Sequence, residues 1–148
     1  KNLLVIIQTK LKNILLILEK LVAKKNHQTI VIVKQKRVNK PWGHEIIWSH
    51  CEKFVGKILC INKGHKLSRQ YHKQKEETIF VLTGTLILEV GMGAKMEKIS
   101  LKRGQSYHIE PGTIHRFCAE YGDVELAEVS TPELDDVVRL EDDYNRDN

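Results

Sequence analysis

From Thr29 onward the chain is built of short runs of β-branched or alternating apolar residues, separated by Gly, Pro, Asn and Lys turns. Such runs fit strands, because successive side chains of an extended backbone point to opposite faces and every second one can be buried. The pattern predicts ten strands: 29–33, 45–48, 54–61, 67–72, 78–82, 85–90, 97–101, 106–109, 114–119 and 124–129. Their number and spacing suit an all-β, double-sheet jelly roll. Gly84 stands where a hairpin turn would need it, Gly91-Met92-Gly93 offers the next tight connection, and Pro111-Gly112 supplies a turn before His115. The acidic tail from Pro132 to Asn148 is expected to begin with a short helix or to wrap the barrel.

Residues 1–28 follow a different period. Leu4, Ile7, Leu11, Ile14, Leu18 and Leu21 recur at intervals of three and four, a heptad seam. Gln8, Lys10, Lys12 and Asn13 interrupt the apolar run, which argues against a signal peptide or a spanning helix. Three readings stay open for this amphipathic helix. It docks on the barrel or pairs with a second chain as a homodimer, it lies on a membrane surface, or it reflects where the chain was started. The expected organisation is thus a helix over 1–28 and a barrel over 29–148.

Charge follows the same division. Residues 1–40 hold ten Lys or Arg against one acid, leaving 14 basic and 18 acidic residues in the rest, a net −4. The overall +5 therefore does not describe the barrel, which has no basic groove interleaved with aromatics, and nucleic acid is set aside as a partner. Cys51, Cys60 and Cys118 are odd in number and form no Cys-x-x-Cys pair, as expected of a protein in a reducing cytoplasm.

Two stretches carry chemistry. Gly64 to Gly84 contains Gln70, His72 and Glu77, and Gly104 to His115 ends on a histidine. Gln70 and His72 are two apart, so both point to one face of a strand, and Glu77 and His115 can reach that face from neighbouring strands. A neutral amide oxygen, two imidazoles and a carboxylate suit one divalent ion, with zinc ahead of manganese, iron or nickel. The alternative for any single buried His is a core residue bonded to the backbone.

The spacing Gly64-x5-Gln70-x-His72-x4-Glu77-x6-Gly84, followed by Gly104-x7-Gly112-x2-His115, resembles the two motifs of the cupin superfamily. Lys40-Pro41-Trp42-Gly43, Ser68-x-Gln70-x-His72, His115-Arg116, Glu128-Val129 and the run 135–146 further resemble the isomerase domain of type II phosphomannose isomerases. That resemblance implies a cupin barrel, the jelly-roll double-stranded β-helix. It also implies a metal centre at Gln70, His72, Glu77 and His115, and a sugar phosphate as the small-molecule partner. Lys57, Arg116, Arg139 and Arg146 match basic residues of the family and are the expected substrate-binding cations. Arg139 and Arg146 have an equal alternative in pairing with Asp136, Asp142 or Asp143.

Aldose-ketose isomerisation moves a proton between C1 and C2, so a general base near the ion is required. Lys75, His108 and Glu110 are the candidates, and Tyr107 and His108 face opposite ways on one strand. The chain departs from the resembled isomerases at Gln74 and Lys75, where they carry a His-Arg pair, and at Thr78, where they carry a His. Lys75 keeps the charge without the two-pronged geometry of Arg. The remaining expectations are Trp42 as a packing anchor and Lys40 as a solvated loop residue. The implied function is mannose-6-phosphate-isomerase-like turnover in polysaccharide or nucleotide-sugar precursor metabolism. Its rival is a metal- and sugar-binding module without turnover that regulates a partner. A metal-dependent oxygenase comes third, disfavoured by the 40–43 and 139–146 segments.

Overall fold

The computed structural model describes residues 11–16, 34–93 and 95–146. The chain divides into two units, Lys1–Ile32 and Val33–Asn148. In the first, residues 11–16 are helical, with Leu11 and Ile14 exposed. The other seam positions, Leu4, Ile7, Leu18 and Leu21, and the expected strand over 29–33 lie outside the described residues. Among the described residues, no helix is long and apolar enough to cross a membrane.

The second unit is all-β, a cupin barrel of two antiparallel sheets. Its strands are β1 Lys36–Lys40, β2 Gly43–His50, β3 Val55–Ile61, β4 Arg69–His72, β5 Glu77–Thr83 and β6 Thr85–Met92. They continue as β7 Lys95–Lys102, β8 Ser106–Ile109, β9 Ile114–Cys118, β10 Val124–Ser130 and β11 Val137–Glu141. One sheet runs β1-β2-β3-β10-β5-β8 and the other β11-β4-β9-β6-β7. Alternation decides what lies between them. Along β5, Glu77, Ile79 and Val81 are buried while Thr78 and Phe80 are exposed. Across it, Leu126 of β10 and Leu59 of β3 complete the same layer. Each such side chain taken from water contributes about 1.5–3 kcal/mol. Trp42 is buried within this core, as expected of a packing anchor.

Two expectations change and one narrows. Gly84 does not close a hairpin, because β5 and β6 belong to different sheets, and it turns the chain from one sheet into the other. Its φ is +80°, and a Cβ there would lie 2.3 Å from the carbonyl oxygen of Asp123, so glycine is required. Of the two alternatives for the tail, it does not begin with a helix; it lies along the barrel as strand β11, paired with β4. Lys36–Lys40 is also a strand, although Lys-Arg-Val-Asn-Lys shows no apolar alternation. Both additions are sheet edges, where one flank stays open and polar residues are tolerated. The β6–β7 hairpin at Gly93 and the turn at Pro111-Gly112 fall where expected.

Candidate metal centre

The two sheets bring three side chains to one point. His72 ends β4, His115 lies on β9 and Glu77 opens β5 from the opposite sheet. Gln70 pairs directly with His115 across β4 and β9. The Gly112 N–H donates to the His72 carbonyl at 2.7 Å, which ties the turn before His115 to the strand carrying the other imidazole. Glycine serves this turn because the backbone there has φ +80°.

His72, Glu77 and His115 are 5 %, 3 % and 1 % exposed, so each unmet polar atom here carries a desolvation cost. One ligand atom from each falls within 4.8 Å of the others. His115 Nε2 lies 3.2 Å from Glu77 Oε1, and His72 Nε2 lies 3.9 Å from Glu77 Oε2. Nevertheless His72 Nδ1 and Nε2, His115 Nε2 and Glu77 Oε1 make no hydrogen bond of acceptable geometry. Buried polar groups are ordinarily satisfied, and one ligand atom from each of three residues with unmet polar atoms, meeting within 4.8 Å, is an arrangement that a bound cation would complete.

The protonation states agree with this. His115 Nδ1 is 3.0 Å from the Thr113 carbonyl, which can only accept, so Nδ1 carries a proton and Nε2 is the nitrogen turned toward Glu77. Burial, then the Lys75 ammonium, lower the His72 pKa to about 4 against the opposing pull of Glu77, so the ring is neutral at pH 7. For Glu77, burial alone would raise the pKa, but His115 and Lys75 outweigh it and hold the carboxyl well below its usual range. The neutral His72 ring and the ionised Glu77 carboxylate are in the forms that bind a divalent ion. The buried His/Glu/His group fits a metal.

The group opens into a chamber of about 320 Å³. Gln70 lines it with His72, and its Oε1 accepts from the buried Ser68 hydroxyl at 2.6 Å. Lys75 also enters it, its Nζ bonded to Glu77 Oε2 and, at 2.8 Å, to Glu128 Oε1. Burial would lower the Lys75 pKa, but Glu128 and Glu77 prevail and hold it above the usual lysine range. With two carboxylates accepting from it, the Lys75 ammonium stands in the chamber as a hydrogen-bond donor. Asp136 shapes the turn that presents it, accepting from the Gln74 and Lys75 N–H groups at 2.6 and 2.8 Å.

The expected site residues separate into two sets. Lys57, Arg139 and Arg146 line the chamber. Lys57 stands 3.7 Å from Glu128 and 3.8 Å from Glu45, and Arg146 bonds Asp142 through Nε at 3.2 Å. Arg116 and His108 do not line it. Arg116 follows His115 on β9 and therefore faces the other way, toward Glu141 at 3.3 Å. His108 is on the outer face of β8, where Nδ1 contacts Thr78 Oγ1 at 2.9 Å and Nε2 lies 3.2 Å from Glu76. Glu110 is exposed in the β8–β9 turn.

The departures from the resembled isomerases divide likewise. Thr78 faces away from the chamber and Gln74 is exposed in a turn, so Lys75 is the one that enters it. Lys40, expected in solvent, instead lines the chamber and pairs with Glu45 at 3.3 Å. Sequence reading missed Glu45, and it named Ser68 and Glu128 only as matches to the resembled family, with no role in the site. Glu128 had a signal, a lone acid at an inward position of an alternating strand, since Leu126 and Ser130 flank it on the buried face.

The sequence model described as "Mannose-6-phosphate isomerase C-terminal" matches residues 25–142. Xanthan biosynthesis protein XanB of Xanthomonas campestris pv. campestris is 34% identical over 116 residues, covering 75% of this chain and 24% of that protein. Mannose-1-phosphate guanylyltransferase ManC of Salmonella typhimurium is 28% identical over 159 residues, 97% of this chain and 31% of that protein. The chain thus spans about a quarter to a third of the curated relatives' length. Among solved structures, KdgF from Halomonas sp. superposes with a TM-score of 0.59 at 19% identity, over 70% of this chain and 92% of that one. The capsular polysaccharide assembling protein CapF from Staphylococcus aureus gives 0.66 at 13%, over 77% and 34%. These two likenesses show the fold. With the barrel, the buried His/Glu/His group and a family match over most of its length, the chain belongs to the mannose-6-phosphate isomerase C-terminal family.

Proposed function

We propose that the barrel binds one divalent ion through Gln70, His72, Glu77 and His115, and that it isomerises an aldose phosphate to the ketose. The observation that carries this reading is the set of orphaned buried donors opening into a chamber large enough for a small ligand. Zinc leads manganese, iron and nickel for a site of two imidazoles and one carboxylate. The bound ion supplies Lewis acidity toward substrate oxygens. Lys75 donates a hydrogen bond within the chamber, and Lys57, Arg139 and Arg146 draw the anionic group. His108 and Glu110 lie outside, so Glu45, Glu128 and Asp135 are the wall carboxylates outside the metal group left to take the proton. The printed names of the relatives support polysaccharide or nucleotide-sugar precursor metabolism as the setting. Three free cysteines accord with a cytoplasmic location. The amphipathic helix expected over 1–28 is proposed to serve assembly, and equal sedimentation of the full chain and of residue 28 onward would refute that role.

A second reading is a metal- and sugar-binding module that regulates a partner, favoured by the absence of a free imidazole among the described chamber residues. One experiment separates the two. Purified protein of measured metal content is incubated with mannose 6-phosphate and other aldose phosphates, with and without chelator. Chelator-sensitive ketose phosphate, abolished in His72→Ala and His115→Ala, is the expected result. Turnover surviving both substitutions would sink the metal mechanism, and tight binding without turnover would establish the module.

A further inference from the structure

Lys75 is one of two buried cations among the described residues, and the one that touches the His72/Glu77/His115 group. Its ammonium leaves the two oxygens of Glu77 in different states. Oε2 is engaged by Lys75, while Oε1 has no hydrogen-bond partner and stands 3.2 Å from His115 Nε2. Glu128, 4 % exposed, bonds the same ammonium at 2.8 Å and fixes it on the Oε2 side. A carboxylate shared between an ion and a fixed ammonium offers the ion one oxygen and less of its charge than a lone carboxylate would. With less charge donated, the ion stays the stronger Lewis acid, and positions remain open for a ligand's oxygens.

We propose that Lys75, held by Glu128, is a positioning residue that closes Oε2 of Glu77, so that the ion is bound through Oε1 alone and more weakly than the same donors would bind it without the ammonium. This rests on the metal reading above and not on turnover. The sign of the effect distinguishes it from a structural role. A strut for Glu77 would weaken metal binding when removed; a gate on Oε2 strengthens it.

The test is competition for Zn²⁺ between the full-length protein and a chromogenic chelator, with circular dichroism confirming the fold of each variant. Lys75→Met is expected to bind Zn²⁺ about tenfold more tightly or better, the scale on which outer-shell changes act. Lys75→Arg, which keeps the charge, stays near the native affinity. Glu128→Gln leaves the whole ammonium charge to Glu77 and weakens binding. Because Lys75→Met sets two buried carboxylates side by side, Lys75→Met/Glu128→Leu is measured with it and must also tighten. Unchanged or weaker Zn²⁺ binding in either folded Lys75→Met protein overturns the proposal, as does tighter binding by Glu128→Gln. Loss of stoichiometric Zn²⁺ binding by the native protein would overturn the metal reading itself, a different failure from a wrong sign.

Discussion

Each sheet carries a row of charges of alternating sign, and the two rows differ in where they face. The inner row starts at Lys40 of β1 and passes through Glu45 of β2, Lys57 of β3 and Glu128 of β10 to Lys75 and Glu77. Side-chain exposure falls along it from 30% at Lys40 to 2% at Glu77. The outer row crosses the other sheet, from Glu141 of β11 through Arg69 of β4 and Glu89 of β6 to Lys98 of β7 and Glu120, with Arg116 of β9 also on Glu141. Its two ends are open to water, Glu141 at 53% and Glu120 at 39%. Similar residue types therefore do different work. At the exposed ends of the outer row each pair is weak and solvent readily replaces its members; in the chamber wall each charge depends on its partner, and the row ends on Glu77, whose Oε1 has no hydrogen-bond partner.

Three measurements can break or sharpen that contrast. The largest effect is expected from Glu128→Ala, which leaves the buried Lys75 ammonium on Glu77 alone and should destabilise the metal-free protein by about 3 kcal/mol or more in urea unfolding. A loss no larger than that of an outer-row substitution would erase the distinction.

The second is pH. The unfolded chain protonates His72 near pH 6.5, whereas burial and Lys75 keep the folded ring neutral until about pH 4. The folded state therefore binds fewer protons in that window, and stability present above pH 6.5 is lost as pH falls toward 4. The loss should be on the order of 2–3 kcal/mol in the metal-free protein, read from Tm against pH. Asp142, near the chamber mouth, behaves differently: Arg146 lowers its pKa to about 2, so its contribution persists through that window and fades only in stronger acid. A His72→Gln protein should show a flatter profile between pH 6.5 and 4, and an unchanged slope would assign the loss elsewhere.

The smallest effect belongs to the outer row. Glu141→Gln should change stability by about 1 kcal/mol or less, since Glu141 is more than half exposed, Arg69 keeps Glu89 at 3.0 Å and the buried Arg116 keeps the Glu141 backbone carbonyl at 3.3 Å. A shift in the urea midpoint as large as that of Glu128→Ala would show that both rows are structural.

Much of this arrangement was legible in the sequence, and the reasons differ by residue. Nine of the ten expected strands overlap observed ones because alternation in 78–82 or 124–129 records which face is buried. The tenth falls outside the described residues. β1 was not legible, since an edge strand can carry Lys, Arg and Asn without burying them, and β11, Val-Val-Arg-Leu-Glu, is a short run inside an acidic tail. Both nevertheless line the mouth of the chamber, through Lys36, Val38, Val137 and Arg139. For the site, the i, i+2 spacing of Gln70 and His72 fixed their shared face, and His115 and Glu77 converge with His72. Arg116 and His108 went astray for a related reason: a match to a family's basic residue, or a strand position, does not by itself say which face of the sheet is the inside.

By itself, the chain determined the all-β class, the glycine turns and the residues of the metal group, because these follow from local period and from chemistry that few side chains can supply. Tertiary structure alone decided which charges meet. Lys75 and Glu128 are 53 residues apart, and Glu77 and His115 come from opposite sheets. No local pattern encodes such a pairing, since a charge's energy depends on how much water remains around it and on which partner the fold brings within reach.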